Sequence, residues 1–136
     1  MSSQTRFLAR LIGLFLVAMS LALVVNQTAM TDTVTAIVHA PGLLLAFGMI
    51  ALVVGLAVVL SHNLWSGGAA VILVTLFGWL MLVRGVGLLL LPSAVIVSLF
   101  ERVHFGEFAY LYAAVVFVVG LFLAWSGFRS PPAARA

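Results

Sequence analysis

The sequence predicts an all-α membrane protein: a four-transmembrane-helix bundle with short amphipathic interfacial helices on its outer side. Four long apolar runs carry that expectation, Phe7–Val25, Leu43–Leu60, Ala69–Leu91 and Phe108–Trp125. Each approaches the roughly 20 helical residues needed to cross a hydrocarbon core of about 30 Å. Hydrophobic residues make up 65% of the chain and charged residues 7%, against about 25% charged in a soluble domain. A soluble fold has nowhere to hide so much apolar surface, whereas lipid accepts it. The third observation is where the arginines fall. Arg6 and Arg10 precede or open the first run, and Arg129 and Arg135 follow the last.

One domain over residues 1–129 follows, with spans near 7–25, 42–61, 69–91 and 107–127. The proline- and alanine-containing tail 130–136 is expected to be disordered. Four spans put both termini on one side, and the positive-inside rule makes that side the cytoplasm of a multi-pass protein in a bacterial inner membrane. Arg102 is then the one arginine in an outer loop, and Arg84 lies inside the third run. The first run also has the look of a signal peptide, with a basic start and small residues near Ser20 and Ala22, but its apolar stretch reaches Val25 without a break.

After the first span, Asn26–Ala40 is polar and then weakly helical. Thr31 or Asp32 is the expected cap of a short turn with Val34, Ile37 and Val38 on one face. Pro41 suits the first turn of the second span, where its missing N–H has no partner to lose. Ser61–Gly68 is so short that the second and third spans must form an antiparallel hairpin. Pro92 stops the third span. Ser93–Phe105 then reads as an amphipathic helix with Ile96, Leu99, Phe100 and Val103 on its apolar side, and Gly106 as the turn into the fourth span.

The pI of about 10.7 does not indicate a nucleic-acid partner, because the six arginines are scattered rather than clustered on a face. Absence of cysteine excludes thiolate metal sites, iron–sulfur clusters and cysteine catalysis. No base–nucleophile pair stands in any span, so no catalytic residue, cofactor or metal ligand is assigned and the chain is not read as an enzyme. His39 and His104 fall on the outer side, where a metal or haem iron stays an open option that no ligand spacing supports.

The residues that stand out are polar ones near apolar runs. Arg84 lies about 23 Å along the third helix and about 10 Å short of its end, within reach of the outer interface. An ion pair with Glu107 or Glu101 is preferred for it over one with Asp32. His62 and Asn63 form a corner that satisfies open carbonyls at the end of the second span, next to Trp65 in the aromatic belt. Thr75 and Trp79 form a polar-capable pair facing another helix. Gly48, Ala51 and Gly55 on the second span, with Gly78 and Gly85 on the third, mark close helix contacts.

The stretch Ser61-His62-Asn63-Leu64-Trp65, then Thr75-Leu76-Phe77-Gly78-Trp79, Gly85 and Pro92, resembles a group of small, uncharacterised four-span bacterial inner-membrane proteins over residues 42–92. The resemblance implies location and span count and no activity. The functional expectation is a structural or accessory subunit, acting as a homo-oligomer or within a larger membrane complex, with the lipid bilayer as its other partner. The alternative is an oligomeric channel or transporter for ions or small solutes with Arg84, Trp79 and Thr75 near the path.

Overall fold

The computed structural model describes residues 1–129, and the tail expected at 130–136 lies outside the described residues. Six helices follow in order: α1 (Ser3–Val25), α2 (Gln27–Val38), α3 (Pro41–Ser61), α4 (Ala69–Leu90), α5 (Ser93–Val103) and α6 (Ala109–Arg129). Four of them, α1, α3, α4 and α6, are long and apolar enough to cross a membrane. Their limits follow local chemistry. The Ser2 hydroxyl accepts the Thr5 N–H at 3.1 Å and starts α1 four residues before the apolar run does. Pro41 opens α3 as expected, and Pro92 lies just beyond the end of α4.

The two short helices depart from expectation in instructive ways. α2 begins at Gln27, directly after α1, and not at a cap formed by Thr31 or Asp32. The hydroxyls of Thr31, Thr33 and Thr35 donate to the carbonyls of Gln27, Ala29 and Thr31 at 2.7–2.9 Å. Bonded back onto their own helix, these threonines do not interrupt it. On α5 the half-buried residues are Ile96, Val97 and Phe100, while Leu99 and Val103 are exposed, so the packed face is rotated from the expected one. The chain turns over residues 104–108, with Gly106 inside the turn as expected, and His104 at its start adopts the left-handed region with φ 50°. The Gly106 carbonyl accepts the Gln27 side chain at 3.3 Å.

The long helices are arranged as two antiparallel pairs, α1 with α6 and α3 with α4. In the second pair the expected glycines are the contact. A side chain at Gly55 would strike the Leu82 backbone, one at Gly85 the Leu52 backbone, and one at Gly78 the Val58 side chain. Gly48 sits against Leu88 and Leu89, and Ala51 is buried beside it. These small residues are therefore used inside the chain and leave no free face for another copy. A matching set joins the first pair: Gly13 lies against Ala124 and Gly120, Gly120 against Leu16 and Val17, and Gly127 against Arg10. Removing side chains lets helix backbones approach until dispersion between them is strong, which is the main attraction available in lipid.

The start of α1, the end of α6 and the α3–α4 loop lie at one end of the molecule, the terminal end; α2 and α5 cross from pair to pair at the other, the distal end. The two pairs meet through a small core of Ala9, Ile12, Val58, Ala70, Val74 and Leu123, flanked by Leu73, Phe77 and Val119. The buried members all lie in the terminal half, while Val119 is at the middle of α6 and Leu16, also packed against the core, lies just past the middle of α1. One heptad further along the same helix stripes, Ile12 gives way to Met19, Phe77 to Arg84 and Val119 to Tyr112, and all three are exposed. Contact between the pairs is thus concentrated towards the termini.

Candidate functional site

At the terminal end, polar side chains that are distant in sequence converge where the helix pairs join. His62 caps α3 and is only 2% exposed. Its Nδ1 is 3.4 Å from the Thr5 hydroxyl in the first turn of α1, and its Nε2 is 3.4 Å from the Val71 carbonyl in the first turn of α4. A carbonyl can only accept, so in the neutral ring Nε2 carries the proton and Nδ1 accepts from Thr5. The Thr5 oxygen in turn lies 2.7 Å from the Ser2 hydroxyl. One imidazole therefore ties together the ends of three helices and both pairs.

Thr75 is fully buried and donates to the Leu64 carbonyl at 2.7 Å, with the Val71 carbonyl at 3.2 Å as a second acceptor. It holds the α3–α4 loop down on α4. Trp65 and Trp79 both direct their indole N–H to the Asn63 side-chain oxygen, at 3.0 and 3.4 Å. The corner His62–Trp65 and the pair Thr75–Trp79 are hence one network. Its side-chain hydrogen bonds run to the loop, the start of α4 and, through Thr5, the start of α1; only the His62 backbone N–H turns back, to the Val58 carbonyl at 2.7 Å. The expected closure of α3 carbonyls by the His62 and Asn63 side chains is not what these groups do.

Arg10, read from the sequence only as a charge that orients the chain, also belongs here. Its Nε donates to the Gly127 carbonyl at 2.9 Å, and its guanidinium carbon lies 4.7 Å from the Phe128 ring centroid. A cation at the last carbonyls of α6 satisfies an orphan acceptor and complements the helix dipole. Arg129 covers the Trp125 ring at 4.0 Å. The signal that was available is the heptad spacing of Gly120 and Gly127, the same spacing that singles out Gly78 and Gly85.

No protein-family model, curated protein or solved structure matches this chain. The chemistry of its own residues has to carry the argument.

Arg84 is the exception to this economy of polar groups. It is exposed on α4, six residues before the helix ends at Leu90, or about 9 Å along the axis. Among the described residues it makes no hydrogen bond and no ion pair. The expected in-chain partners do not reach it. Glu101 is exposed on α5, Glu107 is exposed in the turn before α6, and Asp32 is exposed on α2. The structure thus corrects the expected in-chain Arg84–glutamate pair: among the described residues Arg84 forms no ion pair with Glu101, Glu107 or Asp32. His104 bonds the Arg102 carbonyl at 2.9 Å, and His39 is exposed. Among the described residues no three histidine or acidic side chains gather to hold a metal ion.

Proposed function

We propose that this chain is an accessory subunit of the bacterial inner membrane, one that associates laterally with other membrane helices and does no chemistry of its own. On this reading α1, α3, α4 and α6 cross the bilayer as one bundle. Both termini are cytoplasmic, and α2 and α5 lie along the outer interface. The observation that carries the reading is Arg84. An arginine within an apolar helix is costly in lipid unless it finds a counter-charge or reaches the headgroups, and this one is exposed with no partner among the described residues. The buried polar groups, by contrast, are spent on holding helix ends together, which supports assembly rather than catalysis.

Purification in native nanodiscs, with mass measured by light scattering and co-eluting proteins identified, tests the proposal. It expects a particle heavier than one chain plus lipid. A lone monomer with no co-purifying protein would overturn it. Reconstituted liposomes should show no solute flux above empty vesicles; flux that disappears in Arg84→Ala would replace this reading with the channel alternative.

A further inference from the structure

We infer that a phospholipid of the outer leaflet is bound in the gap between the two helix pairs, with its phosphate on Arg84. The inference rests on the membrane placement proposed above; a partner helix then meets Arg84 across this phosphate and not directly. In the core, Ile12 of α1, Phe77 of α4 and Val119 of α6 bring the pairs together. One heptad nearer the distal end, the same stripes present Met19, Arg84 and Tyr112, and all three are exposed. A heptad step turns a residue by only about 20° on a straight helix, so each keeps the side that faces the other pair. Arg84 therefore lies on the stripe that closes the core. Among the described residues nothing bonds to it there.

The depth of the gap selects its occupant. Val119 stands at the edge of the core and Ala109 at the start of α6. The helix between them is about 15 Å long, half of a hydrocarbon core of about 30 Å. A transmembrane helix laid into the gap runs on into the core, where the pairs close. An acyl chain of one leaflet ends there. α2 and α5 cross at the distal end, which leaves the sides of the gap as the way in.

The polar groups select the headgroup. Arg84 lies six residues before the end of α4, about 9 Å along the axis, and its long stem lets the guanidinium rise towards the interface. Tyr112 is in the first turn of α6, at the same end. Its ring is stacked on Phe105 at 5.6 Å, and Phe105 lies 5.8 Å from Phe100 of α5. The Tyr112 hydroxyl forms no hydrogen bond among the described residues. A guanidinium fork binds phosphate oxygens two at a time, and a phenol adds a further O–H donor. Around this end, segments 26–40 and 91–108 carry Asp32, Glu101 and Glu107 against a single arginine, Arg102. That balance favours a headgroup that adds an ammonium to its phosphate over one that is anionic throughout.

Native mass spectrometry tests this on the full chain, released from nanodiscs of equal parts phosphatidylethanolamine and phosphatidylglycerol. One retained lipid per chain is expected, chiefly phosphatidylethanolamine. Arg84→Leu should cut retention several-fold and Tyr112→Phe by a smaller factor, while Arg84→Lys should keep part of it. Arg129→Gln, which removes an exposed arginine at the terminal end, should change nothing. Met19→Trp fills the gap with the charges intact and should expel the lipid as Arg84→Leu does, so the result does not depend on one variant folding. A photoreactive acyl chain on the retained lipid should mark the α1 and α6 peptides around Met19 and Tyr112.

Absence of a retained lipid would overturn the inference. So would equal loss in Arg129→Gln, or crosslinks confined to peptides away from the gap. Preferential retention of phosphatidylglycerol would overturn the headgroup assignment. A protein that co-purifies through Arg84 with no retained lipid would overturn the site and leave the lateral association standing. A lipid retained by a lone monomer would do the reverse.

Discussion

At the scale of single residues, the buried polar groups of this molecule act as fasteners. His62 joins two helix pairs through two contacts of 3.4 Å, the long end of hydrogen bonding, so each is a weak bond individually. Their value lies in burial, because a stranded donor or acceptor loses its solvation without compensation. In bicelle unfolding titrations, Thr5→Val and His62→Phe should each cost about 1–3 kcal/mol. The double variant should fall short of the sum by about 0.5–1 kcal/mol. Strict additivity would mean that the two side chains do not interact. Thr75→Val keeps the shape and removes the hydroxyl's bonds to Leu64 at 2.7 Å and Val71 at 3.2 Å; a loss of about 1 kcal/mol is expected, with the loop freed to proteolysis before the helices.

At the scale of helices, glycine placement decides which surfaces are internal. Glycine stripes on α3 and α4 suggested contacts without saying with whom, and the structure assigns them to the hairpin itself. Gly55→Leu and Gly85→Leu should therefore destabilise the single chain, by about 1–3 kcal/mol or more, instead of dissolving an oligomer. Gly13→Ala and Gly120→Ala should behave the same way across α1 and α6, since even a methyl group there meets backbone. Gly42→Ala is the control: nothing lies within 4 Å of the added carbon, and stability should change by no more than about 0.5 kcal/mol. Melting curves with light scattering separate the two outcomes. If Gly55→Leu gave an intact monomer that had merely lost its partner, the in-chain assignment would be wrong.

The whole molecule is two tight pairs joined at the terminal end by one small core and one histidine. The four long helices require the termini and the α3–α4 loop on one side and the two short helices on the other. Single cysteines at Gln27, Asn63 and Phe105, in a chain with no native cysteine, should report outside, inside and outside to an impermeant thiol reagent applied to intact cells. Labelling at Asn63 but not at Gln27 would reverse the proposed orientation. Because the pairs are joined mainly near the termini, hydrogen exchange in α2 and α5 should exceed that in α1 and α6, where backbones are in close contact.

Helix number, helix order and the α3–α4 hairpin were legible in the sequence, because hydrophobic length and loop length act locally and need no partner to be read. Pro41 and the glycines of α3 and α4 were legible for the same reason. The α1–α6 pairing was not: its glycines lie more than a hundred residues apart, and spacing along one helix does not name the helix it faces. Nor could the sequence tell that His62 would reach Thr5, or that Arg10 would close the end of α6. It gave no sign that Arg84 would be left without an acid among the described residues. Pairing of polar groups depends on which helix ends arrive together in space, and that is decided by the packing of backbones over the whole chain.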